Sequence, residues 1–286
     1  MTSTMSDLAL ARDQVGDVVA VDRLEGGLVE ISVRLPHLAA TARPGEFAQL
    51  RCGDGIEPLL RRPFSVAWTD GDLCGFVLEA VGVGTRRLVA LRPGDPLRAL
   101  GPLGNGFAVD PPPARALIVS GGLGCAPFPL LVAELRRRGC ADITVLNGAA
   151  TASRLYPPDR FRRGAGGVTV VEATDDGSRG HRGLVTDLVA ERCNTATTVY
   201  GCGPNPMLAA LAATLGALEA PPVRAQVSLE APMGCGFGTC LGCALPVAAG
   251  SEGGTAWALC CRQGPVMEAS EVAWPQLLAL PPAHVA

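Results

Sequence analysis

The sequence contains no lysine. All 24 basic residues among its 286 are arginines, which rules out Schiff-base chemistry and any other reaction that needs a lysine amine. Histidine is almost as scarce: His37, His181 and His284 are scattered along the chain and read as structural or solvent-exposed, so no acid-base catalytic residue is assigned. Aromatic residues make up 4%, which leaves the core to aliphatic packing. Basic charge is not in excess either. A net charge of -3 and a pI near 5.7 give no footprint for nucleic acid or for an anionic membrane surface. No apolar run approaches the ~18 to 20 residues needed to cross a bilayer, and the opening MTSTMSDLALARDQ lacks the basic start and apolar core of a signal peptide. These absences point to a cytoplasmic protein with neither a membrane nor a nucleic acid as partner.

What is present is a chain of 48% hydrophobic and 18% charged residues, typical of a globular protein and long enough for two domains with a small third. Residues 12–110 read as short strands and turns. In LVEISVRLP the apolar Val29, Ile31, Val33 and Leu35 alternate with Glu30, Ser32 and Arg34, the period of a half-buried strand. Turn signals at Glu25-Gly26-Gly27, Pro44-Gly45, Asp70-Gly71-Asp72 and Pro93-Gly94-Asp95 suit a small antiparallel barrel, interrupted by one short helix at about Thr85 to Leu91. After Pro111-Pro112-Pro113 the period changes. Over 114–225 apolar strands alternate with helices, among them helices at about Gly183 to Arg192 and Pro206 to Leu218, which implies a parallel sheet. Residues 226–280 form a glycine- and cysteine-rich segment, small enough to need a staple.

Eleven cysteines in such a chain read as metal ligands or buried thiols rather than disulfides. Cys52, Cys74, Cys125, Cys140 and Cys193 stand singly and read as small buried hydrophobes. By contrast MGCGFGTCLGC places Cys235, Cys240 and Cys243 in C-x4-C-x2-C, the spacing of plant-type 2Fe-2S ligands. Glycines at 234, 236, 238 and 242 allow a loop to fold round sulfurs and bring backbone N–H groups to them. Zinc is the lesser reading, because zinc ribbons supply two C-x2-C knuckles and only one is here. A fourth thiol comes from Cys260 or Cys261, and spacing does not choose between them.

Two further groups of motifs suggest nucleotide cofactors. Arg62-Pro63-Phe64-Ser65 can set an arginine on a diphosphate and a hydroxyl beside a flavin edge, and Gly82-Val83-Gly84-Thr85 opens a helix where phosphate can sit. Ser120-Gly121-Gly122-Leu123-Gly124-Cys125-Ala126-Pro127 and Gly201-Cys202-Gly203-Pro204-Asn205-Pro206-Met207 are strand-to-helix turns of the kind that carry a dinucleotide. GPLGNGF at 101–107 is too long for a plain hairpin turn.

Barrel, sheet domain and terminal thiol loop in this order resemble the ferredoxin reductase superfamily, and within it the electron-transfer subunits of NAD-dependent dihydroorotate dehydrogenases. The resemblance runs from about Val15 to Val272, most specifically through GPLGNGF, DDGSRGHRGLVTD, SLEAPMGCGFGTCLGC and CRQGPVM. It implies an oxidoreductase subunit binding FAD, NAD(H) and a 2Fe-2S cluster. Arg62, Pro63, Phe64 and Ser65 would form the FAD strand, with Gly84 and Thr85 as a second FAD phosphate element. Gly121, Gly122 and Gly124 would seat the NAD diphosphate, with Cys202, Gly203 and Pro204 near the nicotinamide. Cys235, Cys240, Cys243 and Cys261 would ligate the cluster, the Gly-Pro-Val that follows selecting Cys261 over Cys260. The implied route joins hydride exchange with NAD(H) to single-electron passage to the FMN of a separate dihydroorotate-oxidising subunit, in a heterotetramer with two of each. A flavin subunit of a hydrogenase or of an NADH-dependent ferredoxin:NADP oxidoreductase shares the layout, and a zinc-stapled binding module is a third reading. Phe64 stands where a tyrosine is common in the superfamily, and Ala150 where many relatives carry a basic residue, which leaves NAD or NADP open.

Overall fold

The computed structural model describes residues 8–53, 55–249 and 254–280. The readings of residues 1–7 and of His284 lie outside them. The first part of the chain runs through β1 (Arg12–Arg23), β2 (Leu28–Arg34), α1 (Pro36–Thr41), β3 (Phe47–Leu50), β4 (Arg62–Ser65), β5 (Trp68–Asp70), β6 (Leu73–Glu79), α2 (Val83–Leu88) and β7 (Pro96–Leu103). Its strands pair antiparallel in the order β4-β3-β7-β1-β2-β6-β5. β4 and β5 are one run of chain bent at Val66 and Ala67. The first half pairs with β3 and the second with β6, so the sheet curls onto itself as a barrel. Hydrogen bonds from Val66 N–H to Glu46 O (3.0 Å) and from Ala67 N–H to Gly75 O (2.8 Å) carry the bend.

Two helices, not one, interrupt these strands. α1 was not foreseen, since six residues are too few to display a 3.6-residue period; it starts at Pro36, a residue preset for a first helical turn. The alternation in β2 is correct, and Val29, Ile31 and Val33 are buried in the barrel. Glu30 on the outward side is nevertheless only 2% exposed, because the next domain covers it.

That domain comprises β8 (Arg115–Gly121), α3 (Phe128–Arg137), β9 (Asp142–Ala149), α4 (Pro158–Arg162), β10 (Val168–Thr174), β11 (His181–Arg182), β12 (Thr197–Cys202), α5 (Asn205–Gly216) and β13 (Arg224–Ser228). The helix expected over 183–192 is instead two 3-10 turns, Val185–Leu188 and Ala190–Arg192. Asp187 Oδ2 accepts the Leu184 N–H at 2.9 Å, and Val189 and Arg192 bond back three residues, which tightens the chain while Val185, Leu188 and Val189 face the core. The last segment adds β14 (Ala244–Ala248), β15 (Thr255–Leu259), α6 (Cys260–Gln263), β16 (Val266–Glu268) and α7 (Trp274–Leu278). The second sheet runs β11-β10-β9-β8-β12-β13-β16, parallel except for the edge strand β16. β16 thus comes from the cysteine-rich segment and fastens it to the sheet, while β14 and β15 pair as a separate hairpin.

Shared apolar cores join all three parts. One cluster links Leu28, Trp68 and Val77 of the barrel to Phe128, Leu131 and Tyr156 of the sheet domain. Another links Leu117, Val119 and Val199 to Leu245, Cys260 and Cys261. Cys52, Cys74, Cys125 and Cys140 are buried as expected, and Cys193 is half-buried.

At the seam between barrel and sheet domain, Glu30 collects four donors. Trp68 Nε1–H donates to its Oε1 at 2.9 Å and the Tyr156 hydroxyl to its Oε2 at 2.8 Å. Arg160 approaches Oε1 at 2.9 Å, and Arg163 donates to the same oxygen while its guanidinium lies 3.9 Å over the Trp68 ring. A buried carboxylate is tolerated only when paired and hydrogen-bonded in this way. Arg154 of the sheet domain adds a two-pronged pair with Glu79 of the barrel, at 2.9 Å to each oxygen.

Candidate functional site

A cavity of about 420 Å³ opens where barrel, sheet domain and cysteine-rich segment meet. From β4 it is walled by Arg62, Pro63, Phe64 and Ser65, from α2 by Thr85, from the β8–α3 turn by Gly124, Ala126 and Pro127, and from β12 by Cys202. A further wall is the run Ser228 to Gly234, which leads from β13 into the thiol loop. Two groups of motifs up to 140 positions apart in sequence therefore face one space.

Local rules explain how each motif reaches it. The RPFS strand sits just before the bend that closes the barrel, and Ala67 at that bend accepts the Leu130 N–H of α3 at 2.7 Å. The flavin-type strand and the nucleotide-type helix are thereby tied within a few residues of the cavity. Arg62 packs along the GVGT turn, since a Cβ on Gly84 would stand 3.4 Å from its Nε. The Thr85 hydroxyl is occupied inside that turn, accepting the N–H groups of Val81 and Gly82 at 2.9 Å each.

In the sheet domain the two glycine turns press against each other at the carboxyl ends of neighbouring parallel strands, the edge on which such sheets bind ligands. Gly124 must be glycine, because a Cβ there would lie 2.2 Å from Cys202 O. Gly121, Gly122, Gly203 and Pro204 shape the turns behind the cavity wall, and a Cβ on Gly121 would sit 3.5 Å from Pro204 Cδ. Cys202 is 7% exposed; burial first, and then the Glu230 charge, push its thiol up to about 12.

The thiol loop begins at the cavity wall and runs over β3. Cys235 is half-buried, Cys240 exposed and Cys243 buried. Burial opposes ionisation of Cys235, but its sulfur accepts backbone N–H groups of Cys240, Phe237 and Thr239 and a bond from the Cys240 side chain, which together bring it down to about 6. Cys243 is also held near 6, chiefly by the Cys261 thiol, whose sulfur lies 3.3 Å away. Cys260 points elsewhere: its sulfur contacts Leu229 O at 3.7 Å, and burial drives its thiol upward. Among the described residues no three metal-binding side chains converge on one point, and the thiols stand as two pairs.

The surroundings fit an anionic group held by these sulfurs. Gly236 (φ 86°) and Gly238 (φ 91°) adopt left-handed backbone that presses the loop onto Gln49 and Arg262 respectively. Both of those side chains carry a buried polar atom with no hydrogen-bond partner, Gln49 Oε1 and Arg262 Nη1. An unpartnered arginine nitrogen on a side chain that packs against the thiol loop at Gly238 suits a cluster that carries net negative charge. The GPLGNGF loop supports the same region from the barrel. Asn105 donates to Gln263 O (3.0 Å) from its side chain and to Gly264 O (2.7 Å) from its backbone, fixing the chain just after Cys261.

Sequence reasoning missed Glu30, Gln49, Asn105, Glu230 and Arg262. Glu30, Asn105, Glu230 and Arg262 lie within LVEISVRLP, GPLGNGF, SLEAPMGCGFGTCLGC and CRQGPVM, but nothing local marks the contact that each makes, and Gln49 lies in no motif. His37 bonds Leu10 O at 2.6 Å and His181 lies 3.5 Å from Asp187, away from the cavity.

Residues 230–273 match a family model described as the iron-sulfur cluster binding domain of dihydroorotate dehydrogenase B. A curated relative from Bacillus caldolyticus, named dihydroorotate dehydrogenase B (NAD(+)), electron transfer subunit, is 41% identical over 234 residues, covering 80% of this chain and 86% of the relative. A relative of the same name from Bacillus velezensis is 39% identical over 267 residues, covering 92% and 96%. Among solved structures, one described as an NADH-dependent reduced ferredoxin-NADP oxidoreductase, studied for flavin-based electron bifurcation, is similar with a TM-score of 0.78. It is 26% identical, over 93% of this chain and 92% of that one. A cytochrome P450 reductase of Amycolatopsis shares the fold with a TM-score of 0.65 at 22% identity, over 76% and 69% of the two chains.

Proposed function

Since the chain belongs to the family of electron transfer subunits of dihydroorotate dehydrogenase B (NAD(+)), we propose that its central cavity is where electrons pass between NAD(H), FAD and a 2Fe-2S cluster on their way from dihydroorotate. The observation that carries this reading is the convergence of RPFS, Thr85, both glycine turns and the start of the thiol loop around one space. When bound, the three groups supply hydride exchange at the nicotinamide, conversion of electron pairs to single electrons at the flavin, and one-electron transfer at the cluster.

The residues divide the work. Arg62 meets the flavin diphosphate, Pro63, Phe64 and Ser65 line the ring, and Gly84 and Thr85 form the second phosphate contact. Gly121, Gly122 and Gly124 seat the NAD(H) diphosphate at the start of α3, and Cys202, Gly203 and Pro204 stand beside the nicotinamide. Cys235, Cys240, Cys243 and Cys261 hold the cluster, with Cys260 packed in the core. Arg154 is engaged by Glu79, and Ala150 offers no charge, so the turn after β9 presents nothing to favour a 2′-phosphate; NAD fits better than NADP. The partner is a catalytic subunit that oxidises dihydroorotate on FMN, in an assembly with two copies of each chain. Among the described residues no helix is long and apolar enough to cross a membrane.

The similarity of the ferredoxin-NADP oxidoreductase extends over the same three parts, but the curated relatives at 35–41% identity favour the dihydroorotate system. The test is co-purification from the native host followed by an assay of dihydroorotate-dependent NAD+ reduction. Orotate and NADH formed together, with flavin and iron-sulfur absorbance in the purified complex, are expected. A partner without FMN, or no orotate, refutes the reading.

A further inference from the structure

Arg262 stands directly after Cys261 on α6, and its Nη1 is buried with no hydrogen-bond partner. Arg160 and Arg163, at the contact between barrel and sheet domain, are answered by protein, since each reaches the Glu30 carboxylate. A buried guanidinium nitrogen without an acceptor calls for an anion.

The backbone brings this side chain close to the thiols by two routes. Along the chain Arg262 is the neighbour of Cys261, and across space its stem lies against Gly238, where a Cβ would stand 2.8 Å from Arg262 Cγ and 3.8 Å from its Nε. The N–H of that same Gly238 donates to the Cys261 sulfur. One residue of the loop therefore separates the arginine stem from the thiol. The segment that carries Arg262 is also held in place. Gln263 Oε1 accepts the Leu259 N–H at 2.6 Å across the turn of α6, and Asn105 holds Gln263 O at 3.0 Å and Gly264 O at 2.7 Å.

On the functional reading above, which this inference rests on, Cys235, Cys240, Cys243 and Cys261 hold a 2Fe-2S cluster that gains negative charge whenever it takes an electron. We propose that Arg262 sets the reduction potential of that cluster, its positive charge and buried Nη1 donor favouring the electron-rich state. Net charge and hydrogen bonds to sulfur are among the quantities that fix such a potential. One electron leaves the donor in the partner subunit and enters the cluster; no bond forms or breaks, and no proton moves, because a guanidinium keeps its protons. The added charge meets a cation already in place. Arg262 thereby makes the cluster a readier acceptor of electrons drawn from dihydroorotate, and a weaker donor to the flavin by the same amount.

The experiment loads the full chain with FAD, iron and sulfide and follows the EPR signal of the reduced cluster through a potentiometric titration. Arg262→Gln keeps hydrogen-bonding capacity but not charge. It is expected to lower the reduced-to-oxidised ratio at a fixed potential about tenfold, the effect of a unit charge a few ångströms away in a partly hydrated site, which is about 59 mV for one electron. Arg262→Lys is expected to keep most of the wild-type potential, and the flavin midpoint, read by absorbance in the same samples, is expected to stay in place. A change below about twofold in Arg262→Gln, an equal shift in Arg262→Lys, or a flavin midpoint that moves as far as the cluster's overturns the proposal. A second measurement needs no variant: wild-type chain labelled with nitrogen-15 in its arginine guanidinium groups is expected to show a nitrogen-15 coupling in the pulsed EPR of the reduced cluster. Its absence overturns the proposal even if Arg262→Gln assembles no cluster. A wild-type chain that assembles no cluster refutes the functional reading at the loading step, and the proposal with it, whereas a cluster of unmoved potential refutes the proposal alone.

Discussion

The barrel meets the rest of the molecule along two seams built on opposite plans. Against the sheet domain, the buried Glu30 has both oxygens satisfied by Trp68, Tyr156, Arg160 and Arg163. Against the thiol loop, Gln49 Oε1 and Arg262 Nη1 are buried without partners, and two left-handed glycines let the backbone press on these same side chains. An unsatisfied buried polar group costs about 1–3 kcal/mol. The first seam is therefore complete as protein, while at the second the Arg262 Nη1 donor is left for a bound anionic group. The first seam holds the barrel against the sheet domain, and the second places the thiol loop at the edge of the shared cavity.

The largest effect is expected at the second seam. Cys261→Ser removes the thiol paired with Cys243 and should abolish the cluster's EPR signal and iron content, whereas Cys260→Ser, which alters a core thiol facing Leu229 O, should retain most of both. The opposite result would reverse the assignment of the two neighbours. Next comes the first seam. Glu30→Gln leaves Arg163 without its carboxylate and Arg160 with Asp22 alone; the loss should be about 3 kcal/mol, near the low end for a broken buried pair because both arginines keep some access to water. Urea unfolding measures it, and unchanged iron content in the folded variant would show that the two seams are independent.

A smaller effect is expected from Asn105→Ala, which removes the side-chain bond to Gln263 O and should cost about 1 kcal/mol. Its sharper readout is faster loss of iron to a chelator, since the bond fixes the chain just after Cys261; an unchanged release rate would show that the barrel loop does not support the cluster. Least of all, Asp72→Ala breaks the ion pair with Arg34, whose side chains are 44% and 50% exposed, and should change stability by less than about 0.5 kcal/mol. A loss as large as that of Glu30→Gln would undo the distinction between satisfied burial and surface pairing.

Much of the architecture was legible in the chain because it follows from local rules. The alternation of Val29, Ile31 and Val33 gave a barrel strand, the glycine turns before α3 and α5 marked strand-to-helix connections, and Pro127 and Pro206 marked helix starts. Reading failed where a neighbour in space overrode a local preference. Residues 183–192 have a helical composition but tighten into 3-10 turns once the Asp187 carboxylate takes the Leu184 amide. α1 is too short to reveal a period. Glu30 follows the outward phase of its strand and is buried only because the sheet domain lies over it.

The candidate site divides in the same way. Thiol spacing, arginine-hydroxyl strand and glycine turns are properties of a few consecutive residues, so the sequence by itself determined which cofactor types the chain suits and in what order their sites occur. Three matters were left to the tertiary structure. Cys260 and Cys261 differ in surroundings, since one sulfur faces Leu229 O and the other Cys243. The RPFS strand and the glycine turns face one cavity because α3 hydrogen-bonds to the bend at Ala67. Glu230 reaches the cavity wall because β13 ends there. Each depends on groups that the folded chain brings together from distant positions, and burial, charge pairing and close approach arise only once those groups meet.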